Sequence, residues 1–332
     1  SRHFGITSGA HKLTLKYLKM VDADITGNSG NNRFGGSIYV FYTDATLNVS
    51  DSEFFNNRGY PYAGAIYASH AQTNLFFSRV VFKENSASTL ENSASRGGAV
   101  YSSANIVEDS CTYIANTAGY GGAVYVYRDS YSSSGSSFTN NTAWYAGGAI
   151  YAEGDNYAAD RASSVTLSSA TIQGNKHLGP YTDLYEGGGG IFVIGNTHTD
   201  VRESTFIENE AASGWGHQIL TYAQFGTPTI TIVNTDFTDI AGGHPFYGPA
   251  SPALCSADPC TVAPFTGTCT DLSGNEGAQC ACADADTYAP LGTSTCLAHT
   301  TCGDQTDATP RLTDASATAA GTCADCDSGS FA

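Results

Sequence analysis

The feature of this sequence that most constrains its fold is a repeat of about 30 residues. Two phrases recur together: an apolar residue three positions before an asparagine, and a Gly-Gly-like pair followed by a small, an aliphatic and an aromatic residue. A period of this length is typical of solenoids, in which each repeat buries its core against its neighbours. The asparagines of the first phrase, at intervals of 25 to 34 residues, are Asn28, Asn57, Asn85, Asn116, Asn141, Asn175 and Asn209.

The stretches between the two phrases have the period of a β-strand. Apolar and polar residues alternate in residues 47–49, 164–167 and 229–233, and Gly, Asn and Ser separate these stretches. No stretch of helical period competes with them. The second phrase reads GGSIY from Gly35, AGAIY from Ala63, GGAVY from Gly97 and Gly121, GGAIY from Gly147 and GGGIF from Gly188. The sequence therefore predicts an all-β, parallel β-solenoid over residues 1–250.

Alignment of the repeats on their asparagines predicts which side chains fill the solenoid. A large apolar residue three positions earlier and a small residue five positions earlier lie on the same strand face, as an inward-pointing pair would. The asparagines themselves are predicted to form a ladder of side-chain amides at a bend, where Asn tolerates left-handed backbone. The large column is Ile25, Phe54, Phe82, Tyr113, Phe138, Ile172 and Phe206, and the small column is Ala23, Ser52, Val80, Cys111, Ser136, Ala170 and Ser204. Cys111 is therefore predicted to be a buried free thiol.

The Gly-Gly phrase also predicts an aromatic row. If its aliphatic residue points inward, the next residue points outward, at a spacing of about 4.8 Å from turn to turn. We predict that this external row stacks on sugar rings or contacts a neighbouring subunit; the alternative is that the rings only stack on each other and shield the sheet. The row is Tyr39, Tyr67, Tyr101, Tyr125, Tyr151 and Phe192.

Three pairs of titratable residues are the candidates for catalysis. They follow the first strand of successive repeats, where enzymes on this fold place acids and a base, and in register they would supply an acid/base pair for polysaccharide cleavage. The pairs are Arg128 and Asp129, Glu153 and Asp155, and His198 and Asp200. Because they lie in loops of different length and the strand face is aromatic, a polysaccharide lyase or hydrolase is the alternative hypothesis and not the first.

Nine of the ten cysteines lie between Cys255 and Cys326, which is typical of small extracellular modules held by disulfides. In that compartment, the sequences NVS and NNT predict N-glycans on Asn48 and Asn140. The first six cysteines of the group have gaps of 4, 8, 10, 1 and 13 residues, and this spacing resembles an EGF-like module over residues 251–300. The resemblance implies the disulfides Cys255–Cys269, Cys260–Cys280 and Cys282–Cys296. Residues 301–332, with Cys302, Cys323 and Cys326, are predicted to begin a further, truncated module.

Charge and hydropathy exclude several functions. The net charge of -17 disfavours nucleic-acid binding, since an acidic surface repels phosphate. No apolar run approaches the roughly 20 residues of a membrane span, so no membrane span is predicted in this segment. The acidic consensus that would bind calcium is missing before Cys255, and no metal or cofactor is predicted.

The paired phrases resemble the repeats of polymorphic outer-membrane autotransporters over roughly residues 13–245. That resemblance implies a right-handed parallel β-helix, here of about eight coils, displayed at a cell surface. With the EGF-like module, the chain is similar to extracellular fibre proteins such as those of flagellar hairs. We therefore predict a non-enzymatic structural protein at the cell surface, whose partners are copies of itself or other filament proteins. A glycan-binding adhesin is a further alternative.

Overall fold

The computed structural model describes residues 1–7, 11–27, 34–87, 94–155, 162–179, 187–212, 216–223 and 228–238, and the backbone of seven further short stretches at 246–247, 265–271, 278–282, 287–288, 297–298, 312–313 and 322–323. The chain forms two compact units, Ser1–Ser251 and Pro252–Ala332. The described residues contain strands and no helix, and accordingly none of them forms an apolar helix of membrane-spanning length.

The first unit is a parallel β-solenoid built from three long sheets, with strands numbered in chain order. The first sheet contains β1 (Phe4–Ile6), β4 (Ile38–Val40), β7 (Ile66–Ala68), β10 (Val100–Ser102), β14 (Val124–Tyr127), β18 (Ile150–Glu153), β22 (Ile191–Ile194), β26 (Ile219–Tyr222) and β29 (Phe246–Tyr247). The second contains β2 (Lys12–Lys16), β5 (Thr46–Ser50), β8 (Asn74–Ser78), β11 (Asn105–Asp109), β15 (Ser130–Ser134), β19 (Ser163–Ser168), β23 (Thr197–Arg202) and β27 (Thr229–Val233).

The third sheet contains β3 (Lys19–Val21), β6 (Glu53–Phe55), β9 (Val81–Lys83), β12 (Thr112–Ile114), β16 (Ser137–Thr139), β20 (Thr171–Gln173), β24 (Thr205–Ile207) and β28 (Asp236–Thr238). A shorter fourth sheet contains β13 (Thr117–Tyr120), β17 (Thr142–Ala146), β21 (Lys176–His177) and β25 (Glu210–Ala211). The predicted all-β, parallel solenoid is confirmed.

About six turns carry the complete pattern of three long-sheet strands and a buried asparagine, fewer than the eight coils predicted. The first repeat was also aligned wrongly. Met20, and not Ile25, is in register with Phe54, so the position equivalent to Asn57 is Ala23. Asn28 lies outside the described residues. The first turn therefore lacks the ladder asparagine.

The inward columns of the later repeats are confirmed. The residues three positions before the asparagines are fully buried from Phe54 to Phe206, and their rings stack from turn to turn where both are aromatic, as Phe82 and Tyr113 do at a centroid distance of 4.8 Å. The small column is buried as well, including Cys111, which is a free thiol. Burial raises the pKa of this thiol, which keeps it protonated and unreactive.

Left-handed backbone recurs at three corners of the turn, but not at the ladder asparagines. Between the second and third sheets it falls on residues such as Asp51, Ser110 and Gly135. At a second corner it falls on the residue just before each ladder asparagine, for example Asn56, Ala115 and Asn140. At the third it falls on the first glycine of the Gly-Gly phrase, such as Gly121 with φ 62°. A residue without a side chain adopts this conformation without strain, which accounts for the first glycine of the phrase.

The second unit is described only by three antiparallel strand pairs: β30 (Phe265–Asp271) with β31 (Ala278–Cys282), β32 (Thr287–Tyr288) with β33 (Leu297–Ala298), and β34 (Leu312–Thr313) with β35 (Thr322–Cys323). The EGF-like module is not shown. The predicted disulfides Cys255–Cys269, Cys260–Cys280 and Cys282–Cys296 depend on side chains that lie outside the described residues, as do Cys302, Cys323 and Cys326, and they stay predictions.

Candidate functional site

An amide ladder runs through the interior of the solenoid and confirms the predicted role of the asparagines. The side-chain nitrogen of Asn85 donates to Oδ1 of Asn116 at 3.0 Å, and that of Asn116 donates to Oδ1 of Asn141 at 2.9 Å. Each Oδ1 also accepts the backbone N–H of the preceding asparagine, and each side-chain nitrogen donates to a backbone carbonyl. The fully buried ladder consists of Asn57, Asn85, Asn116, Asn141, Asn175 and Asn209.

The two ends of the ladder are closed by other polar groups. Asn57 Oδ1 accepts the backbone N–H of Ala23 and the hydroxyl of Ser37. At the other end, the side-chain nitrogen of Asn209 donates to Oε1 of Gln218 at 2.6 Å. The ladder therefore leaves no unsatisfied amide at either end, which matters because a buried amide without a partner is costly.

The predicted aromatic row exists, but it is not exposed. Its neighbouring rings stack at centroid distances of 4.8 to 5.5 Å, so each ring face contacts the next ring. No member is more than 7% exposed. The prediction that the row is exposed to a ligand or a subunit is therefore wrong, because further residues cover it on the outer side of the first sheet. The row is Tyr39, Tyr67, Tyr101, Tyr125, Tyr151 and Phe192. The alternative weighed above, rings that stack on each other and shield the sheet, describes what the structure shows.

The cover over the aromatic row is itself aromatic and cationic. Phe34, Tyr62 and Tyr120 pack against the row, and the Arg96 guanidinium lies 5.4 Å from the centroid of the Tyr125 ring. Tyr125 donates a short hydrogen bond to a carboxylate oxygen of Glu153. Burial raises the pKa of Tyr101 to about 12, so its phenol stays neutral. The ring faces are therefore unavailable to a sugar or a second subunit in this conformation.

The structure brings some of the candidate catalytic residues together: Arg128 contacts Asp155 and its backbone N–H donates to the carbonyl of Glu153. Asp155 is buried and pairs with Arg128 at 3.5 Å. Asp129 precedes β15 and caps the backbone N–H of Ser130, while burial raises its pKa.

The remaining candidates lie elsewhere along the second sheet. Asp200 is in register with Thr166 of the adjacent strand and pairs with Arg202 of its own strand at 3.0 Å. His198 lies two residues before Asp200, and its ring nitrogen Nδ1 is hydrogen-bonded to the hydroxyl of Thr229. Among the described residues, no three His, Cys, Asp or Glu side chains cluster as metal ligands would.

Both predicted glycosylation sites lie where a glycan can leave the solenoid. Asn48 is an outward-facing, half-buried residue of β5, with Ser50 two positions further on the same face. Asn140 is exposed at the bend that follows β16, with φ 55°. The glycans themselves stay predictions.

The sequence reasoning missed a buried carboxyl group in the interior. Glu108 is 3% exposed, and its two carboxyl oxygens accept hydrogen bonds of 2.6 Å from the hydroxyls of Tyr113 and Tyr131. Burial raises the pKa of Glu108. Ser133, Ser136 and Cys111 surround this group. The cluster is closed to solvent and joins two adjacent turns.

A signal for this cluster was present in the strand alternation. The register aligns Glu108 with Phe77 and Ser133, and Ser133 with Leu167. A glutamate in a column of apolar residues is exceptional, since an ionised carboxylate is rarely buried without partners. Two residues earlier on the same strands, Tyr131 occupies the position that Ile106 and Val165 occupy in the adjacent turns. A tyrosine therefore replaces an apolar residue there, and its hydroxyl donates to Glu108.

We predict that Glu108→Gln changes how stability depends on pH. The folded-state pKa of Glu108 is raised, so the unfolded chain releases this proton at a lower pH than the folded chain does. As the pH rises from the unfolded-state pKa of roughly 4.3 towards the folded-state pKa, wild-type stability therefore decreases. The unfolding constant increases by up to about tenfold per pH unit in this range. Glutamine does not titrate, so the variant does not lose this stability. Its unfolding free energy relative to that of the wild type should therefore increase from pH 4 to pH 8.

Urea unfolding of both proteins at several pH values measures this difference. Groups common to the two proteins cancel, including His177, whose pKa burial lowers to about 4. A difference that is constant with pH would contradict a protonated, buried Glu108.

Comparison with protein-family models gives a match to a repeat of the first unit. Residues 135–153 match the model of the Chlamydia polymorphic membrane protein repeat. The matched segment contains β16, the ladder residue Asn141, β17 and the Gly-Gly pair before β18, which are the two phrases that recur along the chain. Searches among curated proteins and among solved structures found no match. The resemblance to passenger domains is confirmed for the repeat and the parallel solenoid, while the EGF-like module and the likeness to flagellar-hair proteins stay predictions.

Proposed function

We propose that this chain is a non-enzymatic structural protein of the cell surface, in which the solenoid is a stiff rod that contributes to an extracellular filament. The observation that supports this most is the continuity of the interior. The amide ladder, the inward ring column and the buried aromatic row each connect one turn to the next. Such nearest-neighbour stacking gives a rigid element that extends along one axis.

The surface location is supported by the repeat and the fold together. A polymorphic membrane protein repeat on a parallel β-solenoid is consistent with a surface-exposed, passenger-like protein. The cysteine-rich composition of residues 251–332 supports the same compartment, because disulfide-rich modules occur in oxidising surroundings.

The partners proposed for the filament are copies of this chain or other extracellular proteins. Because the aromatic row is buried, we propose that the contact surface lies elsewhere on the solenoid. Edge strands of a sheet favour pairing with another chain, so contact through the outer faces or the ends of the solenoid is the arrangement we propose.

The absence of enzymatic activity is a prediction with a direct test. We expect the wild-type chain, incubated with acidic polysaccharides, to release no more reducing or unsaturated ends than buffer does. The variant Asp129→Asn/Asp155→Asn/Asp200→Asn should give the same result, since two of these carboxyl groups are paired with arginines. Cleavage by the wild type that is lost in the variant would establish the lyase or hydrolase alternative.

The surface location is tested on intact cells of the natural source. Protease added outside the cells should remove the chain detected by an antibody to residues 1–250, while a cytoplasmic marker stays intact. Protection of the chain until the cells are lysed would contradict the proposal.

A further inference from the structure

The outer face of the second sheet carries an apolar patch beside a predicted glycosylation site. The register places Asn48 opposite Phe76, and Phe76 opposite Val107, on three adjacent strands. Phe76 is 42% exposed and Val107 is 40% exposed. The next residues of this outward column are polar: Ser132, Thr166, Asp200 and Thr231. Phe76 therefore adjoins Asn48, the column member that lies in a glycosylation sequence, and Val107 lies one strand beyond Phe76.

Neighbouring strands in a sheet are about 4.8 Å apart, so a sugar linked to the Asn48 side chain would lie beside the Phe76 ring. One face of a pyranose ring presents several C–H groups. These groups pack on an aromatic face through apolar contact and through attraction to the negative charge of that face. A glycan in this position would remove apolar surface from water, which stabilises the folded chain.

We propose that the first sugar of an N-linked glycan on Asn48 packs on Phe76 and Val107. This inference rests on the proposed extracellular, glycosylated protein. In the modification, the Asn48 amide nitrogen bonds to the anomeric carbon of an oligosaccharide carried on a polyprenyl diphosphate. The bond from that carbon to the diphosphate breaks, the diphosphate leaves with the electron pair, and the amide nitrogen loses one proton.

The second glycosylation sequence provides an internal control. Asn140 lies at a bend, and the equivalent residues of the adjacent turns are Ala115 and Gly174, as their shared hydrogen-bond pattern shows. Neither residue has an aromatic ring. A glycan on Asn140 would therefore extend into solvent without a matching apolar contact.

The experiment uses the full chain secreted from a eukaryotic host that attaches N-glycans. Mass spectrometry determines occupancy at Asn48, and thermal unfolding is measured for wild type, Asn48→Gln, Phe76→Ala and the double variant. We expect Asn48→Gln to lower the melting temperature by about 2–4 °C in the wild-type background and by much less when residue 76 is alanine. Trimming the glycan to its first sugar should retain the stabilisation. Asn140→Gln should have the same small effect with either residue at position 76.

Two results would overturn this inference. One is an unoccupied Asn48 in the secreted chain. The other is an occupied Asn48 whose removal lowers the melting temperature equally with phenylalanine or alanine at position 76. Neither result decides the proposed function, which the protease experiment on intact cells tests separately.

Discussion

Replacing Asn116 with alanine is expected to destabilise the solenoid by about 4 kcal/mol. Its Oδ1 accepts the backbone N–H and the side-chain amide of Asn85, and its side-chain nitrogen donates to the carbonyl of Phe82 and to Asn141. Alanine removes all four hydrogen bonds in a fully buried position. At least three buried polar groups then lose a partner, at a cost of about 1–3 kcal/mol each. Equilibrium urea unfolding followed by far-ultraviolet circular dichroism measures the loss.

Asn105→Ala is the matched control for this variant. The Asn105 side-chain nitrogen donates to Oδ1 of Asn74 in the adjacent turn at 3.1 Å, and its Oδ1 accepts the hydroxyl of Ser130. It lies on the outer, half-buried face of the second sheet, where water can replace the lost hydrogen bonds. We expect a loss below about 1 kcal/mol. Equal losses in the two variants would show that the buried ladder has no special role in stability.

Gly122→Ala is expected to cost at least about 3 kcal/mol, because it tests the close approach of two turns. A Cβ at this position would overlap the carbonyl oxygen of Gly148 and approach the backbone of Thr142 at 2.7 Å. These obstacles are backbone atoms of the next turn, so they move only if the turns separate. Overpacking of a buried site usually costs about 1–3 kcal/mol, and rigid backbone gives the upper part of that range or more. The same urea titration measures it.

Gly135→Ala separates steric overlap from backbone strain. Gly135 has φ 64°, and a Cβ there would meet only the hydroxyl of Ser110, at 3.5 Å. Its substitution therefore introduces left-handed strain without overlap, at a cost of about 1–2 kcal/mol. Gly122 has no positive φ, so a larger loss there isolates the contact between turns. If Gly122→Ala were as stable as wild type, the tight spacing at this corner would be wrong.

Most of the solenoid could be predicted from the sequence because its determinants repeat. An asparagine at each turn indicates a ladder, since only a stack of equivalent residues satisfies the amides at successive bends. The column that contains Cys111 was predictable for the same reason: Ser136 and Ala170 occupy the equivalent positions in the next two turns, and all three are buried.

The features that the sequence did not predict correctly lie where the repeat is irregular. Met20 replaces the aromatic residue and Ala23 the asparagine of the first turn, and a nearby Ile25/Asn28 pair has the same spacing, so local pattern matching chose the wrong register. Strand alternation predicts that the aromatic row lies on the face of the first sheet opposite the core. The alternation does not reveal that Tyr62 and Arg96, from the preceding corner, cover this outer face.

The proposed non-enzymatic role depends on the same distinction between pattern and packing. The matching positions of Asp129, Asp155 and Asp200 after the first strand of successive repeats suggested that these residues could meet. The register shows that Asp200 lies beside Thr166, while Asp155 contacts Arg128. Side chains in loops of different length are not related by the turn-to-turn period, so their proximity cannot be inferred from the repeat.

Electron microscopy of the protein isolated from its natural source tests the proposed filament most directly. Antibodies to residues 1–250 should label ordered extracellular filaments, and the filament should show an axial repeat made of turns of about 4.8 Å. Dispersed single particles with no filament, or label confined to the cell interior, would contradict a structural role at the cell surface.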